Sequence, residues 1–297
     1  MSTPVMFNRR LGKSEIDIWL RLLEKETENG YIDRTIASQF LKHQDSISFV
    51  SSVEDEIIGG TIVHRDRIRL GMILASVSIK EEHRNHGAYN IIKSSLPFFR
   101  TVAIRDVEAL IPKDKTNERI GFPGSLELDY WTKSILERIG FEDNSRLHYN
   151  RINVDEIQET SREVHFDNTT DIEKAKSLIW DFGKTAGLTN SHIWTSFNFA
   201  IGQKWLKSVT IKEKMKLVFG FYTIGKIGIV NFAMFEDEYF MNGLATKAIA
   251  EIAREARISQ LILPLTGEGQ QQFVQSIADE LRGSLKSRSV TLMRKNL

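Results

Sequence analysis

The chain has 297 residues, room for one large domain or two of about 150. Hydrophobic residues make up 41% of it, enough for packed cores and too many for a disordered chain. The net charge of +1 provides no basic field for nucleic acid, and the absence of cysteine excludes disulfides, thiolate zinc sites and a cysteine nucleophile.

The opening run M-S-T-P-V-M-F-N-R-R-L-G-K lacks the apolar core of a signal peptide, and no stretch approaches the ~20 apolar residues of a membrane span. The expectation is a soluble, cytoplasmic protein with no membrane or nucleic-acid partner.

Ile16, Trp19, Leu20 and Leu23 repeat at helical spacing, which predicts a helix over 14–28, capped by Ser14 and stopped at Asn29-Gly30. A second short helix spans 33–43. The period then changes. Strands are expected at 47–50 and 57–64 around the polar turn Glu54-Asp55-Glu56, and at 69–79. A helix is expected over 88–99, interrupted by Pro97. A strand at 107–111 closes on Pro112, 113–124 is a loop, a helix over 125–139 ends in Gly140-Phe141, and a strand follows at 146–152.

Between the third strand and the third helix lies I-K-E-E-H-R-N-H-G-A-Y-N, Ile79 to Asn90. Strand, Gly-containing turn and helix is an arrangement that aims free backbone N–H groups at a phosphate. Gly87 allows close approach and Arg84 adds a fixed positive charge. The spacing fits neither a dinucleotide-binding G-x-G-x-x-G nor a Walker loop. An ordinary strand-to-helix turn fits it as well.

The second half repeats the pattern. A helix is expected over 172–182, strands over 215–222 and 227–235 around Gly225-Lys226, a helix to about 256, a strand at 261–265, a helix over 270–281 and a strand at 289–293. Gly87 and Gly243 are 156 residues apart, and Pro112 and Pro264 are 152 apart. Two domains are expected, 1–152 and 153–297, joined by the polar stretch Asn153–Ser161. Trp194, Phe197, Phe199 and Trp205 either line an acceptor pocket or belong to a core.

The run from Ile79 resembles the acetyl-CoA loop of the GNAT acetyltransferases, V-x-P-x-x-R/Q-x-x-G-x-G/A. Ile79 takes the Val place, Glu81 the Pro, Arg84 the Arg/Gln and Gly87 the first Gly. Tyr89 stands where the family has Gly or Ala. The ending I-L-E-R-I-G-F resembles the family's second marker, Tyr-x-x-x-Gly-Phe, with Leu136 in the Tyr place. The resemblance covers about 1–152. In the second copy Gly243 and Ala245 match, but Phe240 takes the Arg/Gln place and the Gly-Phe ending is missing.

The resemblance implies a layered α/β fold of two tandem GNAT-like domains. Each would have a mixed, mostly antiparallel sheet with splayed central strands flanked by helices. It implies an N-acetyltransferase in which an amine attacks acetyl-CoA directly. His43, His148, His165 and His192 form no H-x-x-x-H or H-x-x-E pattern, so no metal site is expected. Pantetheine would pair with the strand at Val77 and Ile79. The phosphates would meet Arg84, Asn85, His86, Gly87, Ala88 and Tyr89. Glu81 is the base candidate, ahead of His64, Asp66 and His83, and Tyr130 is the acid candidate because Leu136 cannot donate. The second copy is expected to be degenerate. The alternatives are a non-catalytic acyl-CoA-binding protein, or a tandem transferase using another donor such as aminoacyl-tRNA. The acceptor depends on loops 29–35 and 113–125, which one sequence does not interpret.

Overall fold

A computed structural model describes residues 6–26, 33–96, 104–115, 126–154, 164–236 and 239–297. The predicted stop at Asn29-Gly30, Pro97, the cap at Ser125 and most of the linker 153–161 lie outside them. The chain divides into two compact units, Met1–Ser145 with Val290–Leu297, and Arg146–Ser289.

In unit 1, β1 (Met6–Arg10), β2 (Ser46–Val53), β3 (Glu56–Asp66) and β4 (Gly71–Ile79) form an antiparallel run. β5 (Asp106–Pro112) lies parallel to β4, and Val290–Asn296 of the last strand, β11 (Gly283–Asn296), pairs antiparallel with β5. The helices are α1 (Ile16–Glu26), α2 (Arg34–Lys42), α3 (Glu81–Ser95) and α4 (Lys133–Ile139). Ile16, Trp19, Leu20 and Leu23 are buried, as their spacing predicts. Asp33 caps α2 by accepting the Ile36 N–H at 2.9 Å. The Glu54-Asp55 turn places both residues at positive φ, the geometry of a tight hairpin.

Three expectations are corrected here. β1 was not predicted. Four of its five residues are exposed, so its sequence has no alternation to detect. α4 begins at Lys133 and not near 125. The Leu128 N–H donates to the Leu110 carbonyl of β5 at 2.8 Å, which holds that segment extended, and a single 3-10 turn over Tyr130–Thr132 leads into the helix. α4 does end as read: Gly140 takes φ +96°, and the Phe141 N–H returns to the Leu136 carbonyl at 3.0 Å.

The third concerns the division at 152/153. β6 (Glu142–Val154) was expected to complete the first half, yet its Asn150–Asn153 pair with β10 of unit 2. The β5 edge of unit 1 is taken instead by the chain's final residues. The β5–β11 pairing also carries a buried ion cluster. Glu108 on β5 is fully buried, and its Oε1 accepts Arg69 Nη1 at 3.0 Å and Arg294 Nη2 at 2.6 Å. β11 meets that carboxylate with Arg294.

Unit 2 has the strand order β6-β10-β9-β8-β7, with β7 (Leu206–Ile211), β8 (Lys214–Ile224), β9 (Ile227–Phe235) and β10 (Gln260–Thr266). Its helices are α5 (Ile172–Gly183), α6 (Ser191–Gly202), α7 (Tyr239–Glu255) and α8 (Gln271–Glu280). Trp194, Phe197 and Phe199 are buried in α6, and Trp194 and Phe232 both meet Phe197 edge-on at 5.9 Å. They are core. Trp205 stacks on Tyr222 with ring centroids 4.0 Å apart.

The repeat is visible at the level of a single bulge. In the β3–β4 ladder the register shifts at Ala75, and in the β8–β9 ladder it shifts at Asn231, 156 residues later.

Candidate functional site

In each unit two parallel neighbours start together and then part. β4 pairs with β5 only at Met72 and Ile73. β9 pairs with β10 only over Ile227–Ile229. Past those points, among the described residues, each of β4 and β9 has one edge without a strand beside it.

Register shows what that edge offers in unit 1. The Lys80 N–H donates to Ile58 across the ladder at 2.9 Å. Antiparallel partners alternate between bonded and non-bonded pairs. Ser78 and Ser76 therefore turn their backbone groups toward β3, and Val77 and Ile79 turn theirs into the gap. An extended ligand could pair there as a strand does. The Ile79 carbonyl accepts Arg84 Nε at 3.1 Å. No described residue donates to the Val77 carbonyl. Ser78 Oγ and Thr61 Oγ1 are buried and make no hydrogen bond at this end of the ladder.

Unit 2 has the same parity and a different outcome. The Glu236 N–H donates to Lys216, so Ala233 and Phe235 point into the gap. They stand 156 residues after Val77 and Ile79. Here the Ala233 carbonyl is taken by Gln270 Nε2 at 2.7 Å, from a side chain that is itself buried. The strand end beside it is closed off too, since a Cβ on Gly267 would meet the Ala186 carbonyl oxygen at 1.5 Å and one on Gly269 the Thr185 carbonyl oxygen at 2.6 Å. Gln270→Ala should leave the Ala233 carbonyl unpaired and lower stability by about 1–3 kcal/mol in chemical denaturation. A change under about 0.5 kcal/mol would mean that water replaces the amide at no cost.

No family model matches this sequence, and no curated protein matches it. Solved structures do. A tandem GNAT protein from the clavulanic acid pathway superposes with a TM-score of 0.65 at 9% identity, over 98% of both chains. A GNAT from Sphaerobacter thermophilus gives 0.62 at 10%, over 98% of this chain and 95% of its own. A candidate acetyltransferase from Pyrococcus horikoshii gives 0.66 at 12%, over 100% and 91%. The chain has the tandem GNAT fold. Identities this low establish the fold and leave the reaction to the site.

Within the GNAT fold, the structure brings the two sequence markers side by side. The Arg84 guanidinium lies over the Trp131 ring at 5.1 Å, and Arg138 of the Gly-Phe helix lies over Tyr89 at 5.1 Å. Trp131 was not singled out in the sequence, because nothing in its spacing distinguishes it from a core aromatic.

The expected phosphate loop is not there. β4 ends at Ile79 and α3 starts at Glu81, with Lys80 alone between them. Asn85, His86, Gly87, Ala88 and Tyr89 lie inside the helix, so their N–H groups point back along it to carbonyls four residues earlier. Asn85 and His86 are exposed on its surface, and Ala88 is buried in the core with Ile91 and Ile92. A Cβ on Gly87 would meet Met6 Cε at 3.3 Å, so this glycine serves packing against the sheet. An R-x-x-G string reads the same in a loop and in a helix. The helix wins because Glu81 and Glu82 in the first turn favour its positive end.

Of the base candidates, His64 is buried with Nδ1 2.9 Å from Ser46 Oγ, and Asp66 caps the next turn through the Ile68 N–H. Both are structural. Glu81 is exposed and His83 half-buried at the start of α3, and Tyr130 is exposed at the 3-10 turn. Among the described residues no three His, Asp or Glu come together, and no helix is long and apolar enough to cross a membrane.

Proposed function

We propose that unit 1 is an N-acyltransferase, moving an acyl group from a pantetheine thioester such as acetyl-CoA to an amine. The observation that supports it is the contrast between the two gaps. The Val77 carbonyl of unit 1 is left without a described donor, whereas its counterpart Ala233 is capped by Gln270. Unit 2 then serves as a closed, degenerate copy.

Only half of acetyl-CoA fits the described residues. The β4 edge suits the amide-bearing pantetheine arm. The start of α3 does not suit a diphosphate. In the reaction the amine nitrogen attacks the thioester carbon, the C–S bond breaks, the amine loses a proton and the thiolate gains one. This chain's part is to align the thioester along Val77 and Ile79. Glu81, two residues past Ile79, is proposed as the base. Tyr130, next to the Trp131 that meets Arg84, is proposed as the acid. The acceptor is an amine, small or on a protein.

The test is calorimetric titration with acetyl-CoA, followed by an amine panel for turnover. Wild type should bind, and Val77→Pro, which removes the N–H facing the gap, should bind at least about tenfold more weakly while its circular dichroism stays that of the folded wild type. Equal binding by both would place the thioester elsewhere. Binding without turnover of any amine would favour the non-catalytic acyl-CoA-binding alternative.

A further inference from the structure

We infer that the donor is recognised through its pantetheine thioester arm and that the diphosphate contributes nothing to its hold on unit 1. This rests on the reading of unit 1 as an acyl-thioester site. It departs from that reading's usual cofactor because of how α3 begins.

A helix start binds phosphate when its open N–H groups face the ligand and no anion competes. Here a single residue separates strand from helix, too short a link to form a cradle. The His83 N–H turns back to the Lys80 carbonyl at 2.9 Å. The two leading positions, Glu81 and Glu82, carry exposed carboxylates without a described cationic partner. A diphosphate placed at this end would face two like charges.

Among the described residues, the cations nearest this end are engaged elsewhere. Arg84 is turned back onto the Ile79 carbonyl and the Trp131 ring. Lys80 is paired with Glu56. Lys93 and Arg138 both lie over Tyr89. Gly87, the residue that would admit a phosphate, faces Met6 and Ile91. What the described residues offer a donor is the β4 edge, with an amide N–H and a carbonyl at Val77. Those groups match the amides of pantetheine and are indifferent to charge.

The experiment titrates the full chain with acetyl-CoA and with S-acetyl-pantetheine, which lacks the nucleotide. The two dissociation constants should agree within about threefold. The affinity for acetyl-CoA should not weaken between about 50 and about 300 mM salt, since no phosphate is neutralised and salt only screens the repulsion from Glu81 and Glu82. Glu82→Lys, an exposed change in the first turn, should tighten acetyl-CoA about fivefold and leave S-acetyl-pantetheine unchanged. Acetyl-CoA binding about 100-fold tighter than S-acetyl-pantetheine in the wild type, with strong salt dependence, would overturn the inference while keeping the acyltransferase reading. Failure of both thioesters to bind would overturn that reading and this inference with it.

Discussion

Glu108→Ala is expected to destabilise unit 1 by about 3–5 kcal/mol, which would make it one of the most damaging single substitutions in the chain. The carboxylate is fully buried on β5 and holds two guanidinium groups, Arg69 from the turn before β4 and Arg294 from β11. Both arginine side chains are less than a quarter exposed. Removing the shared anion leaves two partly desolvated cations facing each other. That penalty exceeds whatever the intact cluster contributes over an apolar replacement. The surroundings register the same anion: burial first, and then the Glu108 charge, push the Asp106 carboxyl above its usual value. Glu108→Gln keeps the shape and two hydrogen-bonding groups and should cost less. Arg294→Ala should also cost less, because Arg69 still pairs with Glu108. Thermal and urea unfolding of the three variants gives the order. A loss under about 1 kcal/mol for Glu108→Ala would show that solvent reaches both arginines. Because Arg294 belongs to the final strand, the same experiment tests whether the chain's last residues are integral to unit 1.

The second large effect is on pH. His64 is buried between Phe40 and His43, with ring centroids at 5.0 and 5.2 Å, and its pKa is pushed from 6.5 down to about 3 by desolvation, with the His43 charge adding to it. The native ring stays neutral where the unfolded ring takes up a proton. Its contribution to stability is fully present above about pH 6.5 and is lost as pH falls from there toward 3. The slope is at most about 1.4 kcal/mol per pH unit. His43 is shifted the same way, by burial foremost, with Asp45 opposing it. Urea unfolding at pH 7 and pH 5 should therefore show a loss above about 1 kcal/mol in wild type. His64→Gln, which can still meet the Ser46 hydroxyl and has no titrating ring, should flatten much of that loss. An equally steep profile in the variant would assign the acid sensitivity to carboxylates.

The two predictions draw on different levels of the chain. That position 64 is a histidine in an apolar strand is written in the sequence, and its shift follows first from burial. The Glu108 cluster is not, because its members are 39 and 186 residues apart.

The same division runs through the whole protein. Local patterns sufficed for the helix faces of Trp19 and Leu23, the hairpin at Glu54-Asp55, the strands with apolar runs, and the Gly140-Phe141 ending. The nearly equal offsets of a glycine pair, 156, and a proline pair, 152, pointed to two copies of one architecture, and the bulges at Ala75 and Asn231 keep the first offset to the residue. The helix faces, the turns and the apolar strands depend on neighbours within a few positions, so the sequence determined them by itself.

Three things required the tertiary structure. The exposed strand β1 has no periodicity and exists because β2 offers it hydrogen bonds. The partner of an edge strand is set by pairing across the sheet, which is how β11 and not β6 came to complete unit 1. The candidate site turned on one residue of loop length. With only Lys80 between β4 and α3, a string resembling a phosphate loop becomes a helix led by two glutamates. Which gap stays open depended on whether a distant side chain, Gln270, reaches a carbonyl. Spacing in a sequence records which groups are available. Hydrogen-bond direction and side-chain reach decide which of them face a ligand, and those are properties of the folded chain.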